Sequence, residues 1–244
     1  GFLFRAYHAL PPMNRADGTP VNAVYGFTTM IMKLIEDEEP DHIAVIFDKG
    51  RKTFRNDIYA DYKANRPPPP DDLIPQFAII RDATRALGLA SVDMEGFEAD
   101  DLIATYARQA VERGLNVTIV SSDKDLMQLV GGPVVMFDPM KNREIGPDQV
   151  REKFGVGPNR VVDVQALAGD PSDNVPGVPG IGVKTAAQIF IEYESLDMLL
   201  ELASEPNQLE RDVYLKLEKM EKQLNILASE KVKYGSKTQI ARIL

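Results

Sequence analysis

A chain of 244 residues, 44% hydrophobic and 27% charged, can bury a sizeable core as one large domain or two small ones. With no cysteine and only two histidines, disulfides, thiolate metal sites and cysteine nucleophiles are excluded, and a His-rich zinc site or a Ser-His-Asp triad is disfavoured. The net charge of −9 argues against a nucleic-acid partner unless the acids are clustered, and no apolar run approaches the roughly 20 residues of a membrane span.

No secretory signal pattern is visible at the start, which is Gly1 rather than Met. Residues 2–10 suit a short helix ended by Pro11-Pro12, and after a turn at Asp17-Gly18 an amphipathic helix is predicted at about 21–36. Residues 42–47 form a near-continuous apolar run, the pattern of a strand buried on both faces of a parallel sheet, and the run ends in Asp48. Residues 49–66 are basic: Lys49, Arg51, Lys52, Arg55, Lys63 and Arg66 stand against Asp57 and Asp61. Four prolines, 67–70, precede Asp71, which reads as the N-cap of a helix to about residue 87.

After Gly88 a short strand is predicted at 90–92, followed by Gly96-Phe97-Glu98-Ala99-Asp100-Asp101. Leu102, Ile103, Tyr106, Ala107, Ala110 and Val111 recur at helical spacing and stop at Gly114, so the three acids open an amphipathic helix. Residues 117–121 are the next buried strand, ending in Ser122-Asp123-Lys124-Asp125, and 134–137 a further one. From about 147 the pattern is helical to the end. Strands alternating with helices predict an α/β class, a mostly parallel central sheet flanked by helices, followed by an α-helical region. The division expected is an α/β part at 1–147 and a helical part at 148–244.

The acids then fall into a pattern. Ligands of open parallel sheets bind outside the carboxyl ends of the strands. Asp48 stands at one strand end, Asp123 and Asp125 follow another, and Glu98, Asp100 and Asp101 come just after a third. Each site alone is also explained by helix capping or by acids complementing a helix dipole. Three such sites in one sheet favour a metal, and oxygen donors without His or Cys point to magnesium or manganese. Farther on, Asp170 and Asp173 precede Gly177-Val178-Pro179-Gly180-Ile181-Gly182-Val183-Lys184-Thr185, a turn that exposes backbone amides at a helix start and suits a phosphate backbone. A tight helix-helix turn with no ligand is the other reading of the glycines.

Phe47-Asp48, Tyr62-Lys63-Ala64-Asn65-Arg66, Glu98-Ala99-Asp100-Asp101, Ser122-Asp123-Lys124-Asp125, Gly169-Asp170-Pro171-Ser172-Asp173-Asn174 and Val178–Lys184 occur in the order seen in the structure-specific 5′-nucleases. The chain most resembles the N-terminal 5′-nuclease domain of bacterial DNA polymerase I, and more distantly the flap endonucleases, from residue 1 to about 194. The resemblance implies a PIN-like core with an arch region at 49–70 and a helix-hairpin-helix at about 163–194. It implies magnesium-dependent hydrolysis of DNA phosphodiesters, as 5′-3′ exonuclease and 5′-flap endonuclease, with two ions. Asp48, Glu98, Asp100 and Asp101 would form one ligand group, and Asp123, Asp125, Asp170 and Asp173 the other. Lys63 and Arg66 would act at the scissile phosphate and, with Tyr62, on the 5′ single strand; Gly177, Gly180, Gly182, Lys184 and Thr185 would hold duplex DNA, with a potassium ion on the hairpin carbonyls. A monomeric, cytoplasmic, nucleoid-associated bacterial protein is implied with it, and a link to a polymerase in the full-length chain is left open.

The family's pattern opens with an apolar strand ending in an Asp, upstream of the segment that residues 1–7 resemble, and this sequence contains neither. That leaves a second expectation, a structure-specific DNA-binding module without hydrolysis. A phosphatase of the haloacid type would need an Asp-x-Asp that Asp48-Lys49-Gly50 does not supply, and a PIN-like ribonuclease would lack the hairpin at 177–182.

Overall fold

The computed structural model describes residues 2–139, 141–193 and 195–204. The helical expectation for 205–244 lies outside the described residues. The chain folds as two compact units, one built from residues 2–54, 67–126 and 136–144, the other from 55–66, 127–135 and 145–204. The basic segment at 55–66 therefore belongs to the unit that contains the C-terminal helices.

In the first unit, α1 (Phe2–Ala9) and α2 (Asn22–Glu38) fall where the apolar spacing predicts them. Strand β1 (Ala44–Ile46) pairs in parallel with β2 (Ala90–Val92), in the register Ala44–Ala90, Val45–Ser91, Ile46–Val92. Parallel pairing requires a long crossover, which here includes the helix α4 (Ile74–Ala86). The strand is shorter than the apolar run suggests and is not buried on both faces. Val45 and Phe47 are buried while Ala44 is exposed, the alternation of a strand with one covered face. Phe27, Ile31, Val45, Phe47, Leu73 and Ile80 form the core here, so α2 and α4 close over the buried face.

Asp71 does not cap α4. The chain enters that helix through a turn, with Leu73 N–H on the Pro70 carbonyl, and Leu73 is the N-cap without a side-chain bond. Pro in the first helical turn lacks an N–H to satisfy, which lowers the demand for a cap there. The polar residue that matters at this end is Gln76, which is fully buried. Its Oε1 accepts the N–H groups of Ala23 (2.8 Å) and Val24 (3.2 Å), and its Nε2 donates to Asn22 Oδ1 (2.9 Å) and the Asp72 carbonyl (3.0 Å). Helix α2 has no side-chain cap of its own, so Gln76 satisfies two of its orphan donors. An unpaired buried donor costs about 1–3 kcal/mol, and that penalty ties α4 to the start of α2.

Helix α5 (Ala99–Glu112) follows β2 and ends before Gly114, whose φ of 78° suits only glycine well. A second sheet has the order β3 (Val117–Val120), β4 (Val134–Asp138), β5 (Arg143–Ile145), so the α/β class is realised as two small sheets rather than one wide one. β4 stands between β3 and β5 in the second sheet. The sequence pattern does not reveal β5, where Arg143-Glu144-Ile145 has one apolar residue.

In the second unit, a short helix α3 (Phe54–Ile58) leads into a run of turns through residue 64. Helices α6 (Pro147–Phe154), α7 (Val161–Ala168), α8 (Val183–Glu192) and α9 (Leu196–Ser204) follow among its described residues. Val150, Phe154, Val161, Val164, Leu167, Val178, Ala186 and Phe190 are buried in it. α7 and α8 pack together as the helix-hairpin-helix, with Val178 N–H on the Leu167 carbonyl at 2.8 Å. The hairpin closes because Gly177 lies on the backbone at 168–169. A Cβ on Gly177 would stand 2.2 Å from the Ala168 carbonyl oxygen and 2.3 Å from its carbon, atoms that cannot swing away. Gly180, by contrast, has φ 84° and open space around it. Gly177→Ala is therefore expected to cost about 3 kcal/mol or more, against about 1 kcal/mol for Gly180→Ala, where only the left-handed backbone objects. Thermal unfolding followed by circular dichroism ranks the two, and an equal loss would deny the close approach.

Candidate functional site

Asp48 follows β1, and its neighbour Phe47 continues the strand pairing with an N–H to the Val92 carbonyl at 2.8 Å. Its Oδ1 accepts the N–H of Ala99 at 2.8 Å, fifty-one positions away, at the first turn of α5. The strand-end acid thus stands at the helix start among Glu98, Asp100 and Asp101. Glu98 is the N-cap, extended at φ −89° and ψ 159°, so it lies outside the helix rather than on a helical face with Asp101. Glu98 donates its N–H to Asp101 Oδ2 at 2.9 Å. Capping and dipole compensation both operate here, as either reading of the acids allows. They also gather four carboxylates, with Glu98 91% buried, around one helix end. Asp123 and Asp125 sit together after β3, where Asp123 Oδ1 accepts the Asp125 N–H at 3.2 Å and Ser121 Oγ accepts that of Asp123 at 3.1 Å.

Behind Asp48 lies an ion-pair group that sequence reasoning missed. Asp93 takes Lys49 Nζ at 2.8 Å and Arg81 Nε at 3.2 Å. The Lys49 hydrogen bond first, then the Lys49 charge and Arg81, hold the Asp93 carboxyl below its ordinary range against the opposing effect of burial. Lys49, one of the six cations of the basic stretch, is thus engaged inside the first unit. An arginine in the middle of a helix carries no sequence signal that separates it from a surface charge.

In the second unit, Tyr62, Lys63 and Arg66 meet Asp173. Tyr62 Oη donates to Asp173 Oδ2 at 3.1 Å, Lys63 Nζ lies 3.6 Å from the same oxygen, and Arg66 Nη2 pairs with Oδ1. The main chain is bound as well: Lys63 N–H donates to the Asp173 carbonyl at 2.9 Å. Asn65 donates to the Pro171 carbonyl, and Asn174 to the Asp61 carbonyl at 2.7 Å. Lys63 Nζ stands 4.9 Å over the Tyr62 ring. Both Lys63 and Asn174 have left-handed backbones, at φ 55° and 59°. For a lysine this is strain of roughly 1 kcal/mol or more, of the kind that clusters at functional sites. Asp173 is 93% buried, and so is Asp170, whose Oδ1 accepts the Ser172 N–H at 3.0 Å. Carboxylate oxygens of Asp170 and Asp173 lie within 4.8 Å of one another.

These donor sets fit a hard divalent cation: every candidate ligand offers carboxylate oxygen, and two of them converge at a distance one ion can bridge. The hairpin glycines divide. Gly182 is the N-cap of α8, and Lys184 and Thr185 are exposed in its first turn, as an anion site requires. Gly177 is half-buried, and its place is explained by the close backbone approach.

Two family models match the chain and meet at residue 155. The family model of the 5′-3′ exonuclease N-terminal resolvase-like domain matches residues 1–155, and that of the 5′-3′ exonuclease C-terminal SAM fold matches residues 156–234. DNA polymerase I of Rhizobium leguminosarum is 58% identical over 219 residues, 86% of this chain and 22% of that protein. The chain thus spans less than a quarter of that relative's length. A 5′-3′ exonuclease of Aquifex aeolicus is 43% identical over 199 residues, 82% of this chain and 69% of that protein. Among solved structures, the flap endonuclease of bacteriophage T5, in a complex with DNA and metal ions, has a similar fold, with a TM-score of 0.69 at 24% identity over 82% of this chain and 76% of that one.

Proposed function

The chain belongs to the 5′-3′ exonuclease family, and from that premise we propose that it hydrolyses phosphodiester bonds of 5′-flapped and other branched DNA with magnesium or manganese. The observation that carries the reading is the Asp48 carboxylate on the Ala99 N–H. It supports one ligand group of Asp48, Glu98, Asp100 and Asp101, with Asp123, Asp125, Asp170 and Asp173 as the second. Divalent cations bound there would supply an activated water and offset the charge on the leaving 3′ oxygen.

The protein's own groups do the rest. Lys63 and Arg66 carry positive charge to the reacting phosphate, where charge develops in the transition state. Tyr62 offers a ring on which an unpaired base can stack, worth about 1–3 kcal/mol. The hairpin from Gly177 to Gly182, with Lys184 and Thr185, holds the duplex by its phosphates, and a potassium ion on the hairpin carbonyls belongs to the same proposal. Residues 148–244 are the proposed DNA-binding region. A monomer at the bacterial nucleoid, joined to a polymerase in the full protein, completes the reading. No helix among the described residues is long and apolar enough to cross a membrane.

Cleavage of a 5′-flap with and without magnesium tests the function directly. Tight binding without cleavage at any magnesium level would leave a DNA-binding module instead. Because the proposed contacts are to phosphate, log K should fall linearly with log salt and be the same for two unrelated flap sequences. Lys184→Ala should reduce that slope by about 1. A strong sequence preference in the titration would require base contacts and contradict the hairpin assignment.

A further inference from the structure

Arg81 reaches Asp48 through its main chain. Its side chain is four-fifths buried, and Nη2 donates to the Asp48 carbonyl at 2.6 Å. Nε donates to Asp93 Oδ2 at 3.2 Å, Nη1 to the Phe77 carbonyl at 3.2 Å, and the guanidinium lies 5.0 Å from the centre of the Phe47 ring. Asp93 in turn holds Lys49 on its other oxygen at 2.8 Å. The residues on both sides of Asp48 are thereby gripped, Phe47 by β2 and by the nearby guanidinium, Lys49 by Asp93. The Asp48 carbonyl is fixed by Arg81 and the carboxylate by the Ala99 N–H.

We propose that Arg81 is a positioning residue for Asp48, setting through the Asp48 carbonyl and Asp93 where that carboxylate stands at the start of α5. The inference rests on the reading of Asp48 as a divalent-cation ligand. Only a planar fork with donors on three sides can serve a carbonyl, a carboxylate and a second carbonyl from one place beside a ring. A lysine could keep one of these partners. An ion pair serving stability alone would be indifferent to that difference and would leave cation affinity untouched.

The test uses the full chain as Arg81→Met and Arg81→Lys, with Arg85→Met as control, since Arg85 is exposed on the same helix and paired with Asp82. Amide exchange at Ala99 is measured after chelation, and manganese affinity by calorimetry. Arg81→Met should speed Ala99 exchange and weaken manganese binding about tenfold, in line with the 10–100-fold loss typical when a partner that orients a ligand is removed. Arg81→Lys should fall between, and Arg85→Met should match the unaltered protein. A folded Arg81→Met with unchanged exchange and affinity overturns the inference. Should Arg81→Met not fold, Arg81→Lys and Asp93→Asn carry the same comparison, and wild-type values in both overturn it. Absence of manganese binding by the unaltered protein overturns the cation reading, and Ala99 exchange then decides the role of Arg81 alone.

Discussion

Lys63→Ala is expected to slow flap cleavage by about a hundred- to a thousandfold, the loss of about 2.7–4 kcal/mol that follows removal of one charged transition-state contact. Duplex affinity, carried by the hairpin at Lys184, should change little. Loss of fold is a poor explanation for such a defect. The segment is tied to the 170–174 turn by the Lys63 N–H, by Asn65 and by Asn174, and none of these bonds uses the ammonium group. Alanine also bears the same left-handed backbone that lysine already bears. Raising magnesium should not restore the rate, because no ligand is lost. Single-turnover cleavage across a magnesium series in the full-length protein measures this. Recovery at high magnesium would mean that Lys63 acts by supporting a cation rather than by touching the phosphate.

What the sequence discloses about this site is the part written in local patterns. Strand ends followed by acids, three acids opening a helix and a Gly-x-Gly turn before a lysine are all short-range signals, and α5, β2 and α8 stand where they predict. Long-range polar contacts carry no period. Nothing in residues 61–66 announces that they bond to the turn at 170–174, although an Asn in the left-handed region is a residue that sequence can nominate for such a turn. Asp71 fails as a cap because the chain turns at Pro70 and enters α4 at Leu73, while the buried Gln76 of α4 serves the start of α2 across the fold, where no local pattern points. The apolar run at β1 predicts burial on two faces, yet burial depends on what covers each face, and the run is the same whether one face is covered or two.

Asp173 and Asp125 should fail differently when each is changed to asparagine. Both variants lose a negative charge from the proposed second ligand group. Removing even an outer partner of a ligand costs about 10–100-fold in metal affinity, so each should lose at least that at low magnesium. Asp125→Asn is expected to return close to the wild-type single-turnover rate as magnesium is raised, the behaviour of a pure ligand defect. Asp173→Asn should not. Its carboxylate is also the anchor for Tyr62, Lys63 and Arg66, and an amide cannot serve a lysine and an arginine together as a carboxylate does. Lys63 and Arg66 should then lose their fixed orientation, leaving a plateau at saturating magnesium well below wild type. Faster amide exchange over residues 61–66 should accompany it in Asp173→Asn and be absent in Asp125→Asn. Equal recovery of the two variants would reduce Asp173 to a ligand alone. No recovery of Asp125→Asn would leave that acid a structural role beside Asp123, whose carboxylate already receives its N–H.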